Sequence, residues 1–274
     1  MCAVGTGPDD LGPTTVIPTG DPAGTIAATV AFLAAAGPVD AVGIGSFGPV
    51  DLRPGSPTWG HITATPKPGW SNTDVAGPIG AALGVPVAFD TDVGAAAVGE
   101  QTWGATTDAA ASCYVTIGTG IGGACIVDGA VQHGMAHAEM GHQRIPHDLG
   151  ADPFAGTCPF HGDCWEGLAS GPALAARWGR PGGELPDDHE AWLLEARYVA
   201  AGLANLVLVL SPERIVVGGG VGQRDSLLAE VRAELVIQLG GYIDLPPLDR
   251  FIVPPALGTR SGILGALAMA ARVA

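Results

Sequence analysis

The sequence predicts an α/β fold. Short runs at residues 39–44, 85–90, 113–117, 124–127 and 214–217 are apolar and strand-length. Longer segments at residues 23–36, 189–210 and 225–239 repeat apolar residues at helical spacing. Helices that return the chain between strands build a layered α/β domain. With 274 residues the chain can bury a sizeable core in two lobes.

Taken in order, residues 2–5 and 14–18 read as two short strands around a turn-rich segment. Asp21-Pro22 opens the helix over 23–36. The strand over 39–44 runs into Gly45-Ser46-Phe47-Gly48-Pro49, and a loop over 66–72 leads to a helix ending near Leu83. The strand over 85–90 then meets Thr91-Asp92-Val93-Gly94, which opens another helix. Open α/β sheets place ligands at such strand ends. Asp92 is equally suited to be a helix N-cap.

Residues 113–117 and 124–127 flank Gly118-Thr119-Gly120-Ile121-Gly122-Gly123. Glycines between two strands make a hairpin, not the strand-to-helix turn of a dinucleotide fingerprint. The hairpin is either a tight turn or a backbone cradle for phosphate. A short helix over 171–177 and a Pro/Gly/acid loop follow, then the long helix over 189–210, apolar nearly all round at its end and so mostly buried. Trp178 and Trp192 read as core aromatics rather than cofactor stackers. The strand over 214–217 runs into Gly218-Gly219-Gly220. The helix over 225–239, a last strand region at 251–258 and a small-residue helix over 262–271 complete the chain.

Twelve basic against 27 acidic residues give a formal charge of −15, which argues against a nucleic-acid partner. No wholly apolar run reaches the ~18 residues that span a bilayer, so no membrane partner is expected. The start, MCAVGTGPDD, has no basic n-region. Cys2, Cys113 and Cys125 lie in apolar runs and read as free thiols of a cytoplasmic protein, not a disulfide scaffold.

Residues 137–171 hold the densest chemistry. Cys158, His161 and Cys164 are spaced C-x2-H-x2-C, and His142 stands a loop away. Two thiolates and two imidazoles suit tetrahedral zinc. The other reading is a surface loop with two free thiols and a stray histidine. Four protein ligands leave zinc no open position, so the ion would be structural. It would fix Glu166, two residues past Cys164, and Glu139, three before His142. Paired carboxylates accept hydrogen bonds from vicinal hydroxyls, which points to a sugar.

His-Ala-Glu-Met-Gly-His at 137–142, followed by Cys-Pro-Phe-His-Gly-Asp-Cys-Trp-Glu-Gly at 158–167 and Ser170-Gly171, resembles the ROK family of sugar kinases and repressors. It is most similar to the bacterial fructokinase branch, and the resemblance runs from about residue 2 to the C-terminus. It implies a two-lobed actin-like (ribonuclease H-like) sugar kinase fold. The small lobe would be 1–108, completed by 261–274; the larger, 109–260, would carry the zinc loop 137–171.

The resemblance also implies ATP-dependent phosphorylation of a hexose, with D-fructose to fructose 6-phosphate favoured. Asp92 matches the catalytic base. Thr91, Glu139, His142 and Glu166 would contact the sugar, and Gly118, Thr119, Gly120, Gly218, Gly219 and Gly220 would hold ATP. His142, Cys158, His161 and Cys164 would hold structural Zn2+, Mg2+ would accompany ATP, and the chain would form a homodimer. Thr91 stands where the family commonly has Asn, and Gly94 where a polar residue is frequent. The family's first strand and its D/E-x-G-G-T-K phosphate loop have no counterpart here, and Thr6-Gly7-Pro8 is no substitute. A natural chain longer at its N-terminus is therefore expected. The rival readings are a sugar-binding protein without catalysis and a sugar-sensing ROK regulator, the latter disfavoured by the acidic charge.

Overall fold

The computed structural model describes residues 1–274. The chain begins with α1 (Pro22–Ala35), β1 (Val42–Ser46), β2 (His61–Ile62), β3 (Thr73–Asp74) and α2 (Ala76–Leu83). Next come β4 (Val87–Thr91), α3 (Asp92–Trp103), β5 (Ala111–Ile117), β6 (Ile121–Val127) and β7 (Ala130–Val131). Then follow α4 (Trp165–Ala169), α5 (Gly171–Trp178), α6 (Ala191–Leu210), β8 (Arg214–Gly218), α7 (Gly219–Gly222) and α8 (Asp225–Leu239). The last elements are α9 (Leu248–Phe251), β9 (Ile252–Val253) and α10 (Ser261–Ala271).

The chain folds as two compact units. One comprises Met1–Asp108, Gly129–Ala138 and Ala256–Ala274; the other comprises Ala109–Asp128 and Glu139–Pro255. The excursion 129–138, with His137 of the cysteine/histidine stretch, and residues 256–260, both expected in the larger lobe, group with the first unit.

In the first unit β1 and β4 pair in parallel, from Val42 opposite Val87 to Ser46 opposite Thr91. Leu33, Ile62, Trp70, Ile79 and Phe89 build the core beside them. Glu100 of α3 is fully buried. Its carboxylate accepts from the N–H groups of Ala105 (2.7 Å), Ala256 (3.1 Å) and Leu257 (3.0 Å), and from the Ser261 hydroxyl (2.7 Å), locking α10 onto α3. The strands expected at 2–5 and 14–18 shrink to a single antiparallel bridge between Cys2 and Thr15. Pro13, which has no N–H, limits the ladder there. The edge of β1 away from β4 carries no strand. A groove of about 780 Å3 opens in this unit, lined among others by Val4, Gly43, Gly45, Asp92 and Ala266.

In the second unit β6, β5, β8 and β9 lie side by side in that order. β5 and β6 are antiparallel, whereas β5–β8 and β8–β9 are parallel. Trp165, Leu168, Leu203, Ile215 and Leu235 are buried in its core. α6, with 20 residues and a mean hydropathy of 1.6, has the length and composition of a bilayer span. It is 61% buried and carries Glu195 and Arg197, as befits a core helix.

The expectation of free core cysteines is overturned at one pair. Cys113 faces Cys125 directly in the β5–β6 register, with Cα atoms 4.2 Å apart, and the two form a disulfide. Read along the chain, each cysteine is one more apolar strand residue; only the hairpin register sets them opposite. Cys2, Cys158 and Cys164 are free.

Candidate functional site

In the first unit the side chain of Thr91, not of Asp92, caps α3: its Oγ1 accepts from the Gly94 N–H at 2.9 Å. The N-cap reading of Asp92 is thereby displaced. Asp92 is the first residue of α3, exposed, with Oδ1 accepting from the Val93 N–H at 2.9 Å, and it lines the groove of this unit. Thr91 also donates its hydroxyl proton to Asp90 Oδ1 at 3.2 Å. It is buried, and its hydroxyl both accepts and donates within the turn.

The sequence reading missed two histidines here. His133 Nε2 lies 2.8 Å from Asp90 Oδ2, and Asp90 Oδ1 accepts from the Thr91 N–H at 2.6 Å. The strand end that presents Asp92 is thus braced from the 129–138 excursion. His137 Nε2 accepts from the Val50 N–H at 3.1 Å, holding the loop after Gly45-Ser46-Phe47-Gly48-Pro49. Nothing in the local spacing marks either contact, because the partners are 43 and 87 residues apart.

In the second unit the glycine runs come together. β5 and β8 are adjacent and parallel with Thr116 opposite Gly218, so Gly118–Gly120 and Gly218–Gly220 leave the same sheet end. Gly219 has φ +85°, and a Cβ there would lie 2.3 Å from the Ile117 carbonyl oxygen, so only glycine fits. Gly118 N–H donates to Gly120 O at 2.9 Å across the hairpin, and Gly118 O accepts from the Gly171 N–H at 2.7 Å. Between them opens a pocket of about 450 Å3 lined by Gly118, Thr119, Gly220, Trp192 and Arg224 among others. Arg224, just before α8, and Trp192 were not read from the sequence as pocket residues.

Glu166 and the turn that ends in His142 meet at the start of β6. The Ile121 N–H donates to Glu166 Oε2 at 2.9 Å. The turn Met140–His142 sits on the same residue, since a Cβ on Gly141 would lie 2.0 Å from the Ile121 carbonyl oxygen. Glu139, just before that turn, is exposed.

His142, Cys158, His161 and Cys164 bring one ligand atom each to within 4.8 Å of one another. Cys158 Sγ lies 3.6 Å from both His142 Nδ1 and His161 Nδ1, and Cys164 Sγ lies 3.7 Å from His142 Nδ1. Tetrahedral zinc with S and N legs of about 2.3 and 2.0 Å sets S and N about 3.5 Å apart, so the donor set fits that ion. Burial, first, and the neighbouring Cys158 push the Cys164 thiol up to about 11, so a cation is needed to hold it as thiolate at neutral pH. Because His142 turns Nδ1 to both sulfurs, Nε2 is its nitrogen for any other partner. Asp163, between two of the four, is braced by Arg144 and by His147 at 3.2 Å. Its carboxyl lies below the usual range, chiefly through the His147 hydrogen bond.

A model of the ROK family matches residues 14–273. The chain is 45% identical over 264 residues to a fructokinase of Zymomonas mobilis, covering 93% of this chain and 87% of that protein. It is 40% identical over 270 residues to a fructokinase of Pediococcus pentosaceus, covering 98% and 93%. Among solved structures, a ROK family glucokinase from Streptomyces griseus in complex with glucose and AMPPNP superposes with a TM-score of 0.71 at 27% identity, over 92% of this chain and 89% of that one.

Proposed function

Because the chain belongs to the ROK family, with the α/β fold of its sugar kinases, we propose that it transfers the γ-phosphoryl group of ATP to a hexose, D-fructose in preference, at the 6-hydroxyl. The observation that carries this reading is the position of Asp92, exposed at the end of β4 and lining the groove of the first unit. A carboxylate so placed can accept the hydroxyl proton as the sugar oxygen attacks phosphorus. The preference for fructose draws support from the two fructokinases at 40% and 45% identity.

Glu139, Glu166 and the Nε2 side of His142 would hold sugar hydroxyls. The glycine segments 118–120 and 218–220 would offer backbone N–H groups to the phosphates of ATP. A zinc ion on His142, Cys158, His161 and Cys164 would hold the loop that carries Glu166. Mg2+ arriving with ATP would neutralise phosphate charge.

Coupled ADP release with fructose, glucose and mannose tests the reading. Fructose-dependent release is expected, with Asp92→Asn lowering kcat by about 100-fold or more while the fructose KM changes little. No release with any of the three sugars, together with fructose-induced thermal stabilisation, would make the chain a sugar binder and end the kinase reading.

A further inference from the structure

We propose that His133 is a positioning residue for phosphoryl transfer: its bond to Asp90 sets the strand end from which Asp92 works. This rests on reading Asp92 as the base.

Asp90, Thr91 and Asp92 are consecutive where β4 passes into α3. Asp90 is 8% exposed, and its two oxygens have separate duties. Oδ1 accepts the Thr91 N–H at 2.6 Å and the Thr91 hydroxyl at 3.2 Å. That hydroxyl in turn accepts from the Gly94 N–H at 2.9 Å, in the first turn of α3. Oδ2 is held from outside the turn, by His133 Nε2 at 2.8 Å. A carboxylate only accepts, so Nε2 carries the proton. The bonds run without a break from His133 through Asp90 and Thr91 to Gly94, and Asp92 lies between the last two. A Cβ on Gly94 would lie 2.2 Å from Asp90 Oδ1 and 2.9 Å from Thr91 Oγ1, so the carboxylate and hydroxyl fill the space a side chain would need.

The support behind His133 is fixed as well. Four residues on, His137 Nε2 accepts from the Val50 N–H at 3.1 Å, and a Cβ on Gly48 would lie 3.3 Å from the His137 ring. That loop leaves β1, whose last residue, Ser46, pairs with Thr91 of β4. The segment 129–138 is therefore fastened beside the ends of both strands, and all of these residues belong to the first unit.

A general base works only within hydrogen-bond reach of the proton it takes, and a displacement of about 1 Å can cost about 100-fold in rate. Without His133, Oδ2 of this buried carboxylate would be left without a partner. Turning the carboxyl to regain one would release the Thr91 N–H and hydroxyl, and with them the start of α3 that carries Asp92.

Initial rates of ADP release with fructose, taken well below each variant's melting transition, test this. His133→Phe keeps a ring and loses the donor; His133→Gln keeps an N–H donor at similar reach. His133→Phe is expected to lower kcat about 10- to 100-fold with the fructose KM within about threefold. His133→Gln is expected to bring kcat back to within about threefold of wild type. Adding His133→Phe to Asp90→Ala should cost nothing more than Asp90→Ala alone, because the two residues form one link. The comparison of Phe with Gln decides even if Asp90→Ala does not fold. A kcat for His133→Phe within about twofold of wild type overturns the proposal. So does an equal loss in His133→Gln, a change in KM alone, or losses that multiply in the double variant. If the wild-type chain releases no ADP, or Asp92→Asn loses no rate, the kinase or base reading fails and takes this one with it. If Asp92→Asn is slow and His133→Phe is not, only the role of His133 is lost.

Discussion

Glu166 Oε2 accepts a hydrogen bond from the Ile121 N–H at 2.9 Å. That one contact ties the loop carrying the cysteines and histidines to the first residue after the glycine hairpin. It also means that one oxygen of a carboxylate read as sugar-binding is already in use.

The two duties of Glu166 separate by substitution. Glu166→Gln keeps an acceptor for the Ile121 N–H and loses the charge. It is expected to fold normally and to raise the fructose KM about tenfold. Glu166→Ala also strands that N–H, so it is expected to lose about 1–3 kcal/mol of stability besides. Thermal melts and initial rates on both variants check this. Equal melting temperatures would remove the structural duty.

Metal content is expected at about one zinc per chain. Prolonged chelation, or Cys158→Ser, should lower Tm by at least several degrees and weaken fructose binding, because the ion would hold the loop bearing Glu166. Elemental analysis with melts and fructose titrations checks it. A chain free of zinc with normal Tm and sugar affinity would count against the ion.

Glu195 is fully buried in α6, and neither carboxyl oxygen has a hydrogen-bond partner. Burial pushes its pKa well above the ordinary range, against a smaller opposing pull from Arg177. Between its unfolded value, about 4.3, and the raised folded value, the fold keeps a proton that the unfolded chain releases, so stability falls as pH rises. Glu195→Gln, which does not titrate, should gain on wild type across that window and show no charge-linked gain below about pH 4. Glu195→Met should raise stability at pH 7 by about 1–4 kcal/mol. Melts between pH 3.5 and 8 read both.

Asp51 works in the opposite sense. Its buried carboxyl takes the Arg53 guanidinium at 2.7 Å and the hydroxyls of Ser56 (2.6 Å) and Thr58 (2.7 Å). These bonds, Arg53 foremost, hold it well below the usual carboxylate range. Its stabilisation is full above the unfolded pKa, about 3.9, and is lost as pH falls toward the folded value. Asp51→Asn should melt a few degrees lower at pH 7, with the gap closing below about pH 4. A gap constant from pH 3 to 7 would rule out the ionic origin.

Much of the molecule could be read from the sequence because its signals are local. Apolar periodicity placed α1, α6 and α8 to within a few residues. The C-x2-H-x2-C spacing gathered three candidate ligands within seven residues, close enough for the fourth, His142, to join them. Asp92 was assigned as the base by the family resemblance, since its place after a strand and at a helix start suits an N-cap as well.

Only the tertiary structure decided what those residues do for one another. Thr91 rather than Asp92 caps α3, because the backbone turns Gly94 N–H toward the hydroxyl. Cys113 meets Cys125 through a hairpin register that neither flanking sequence states. His133 reaches Asp90, and Arg224 lies over Trp192, across 43 and 32 residues of chain respectively. Local sequence sets which backbone conformations are cheap and which faces are apolar. Partners far apart along the chain are chosen by packing, once the helices have returned each strand to its neighbour.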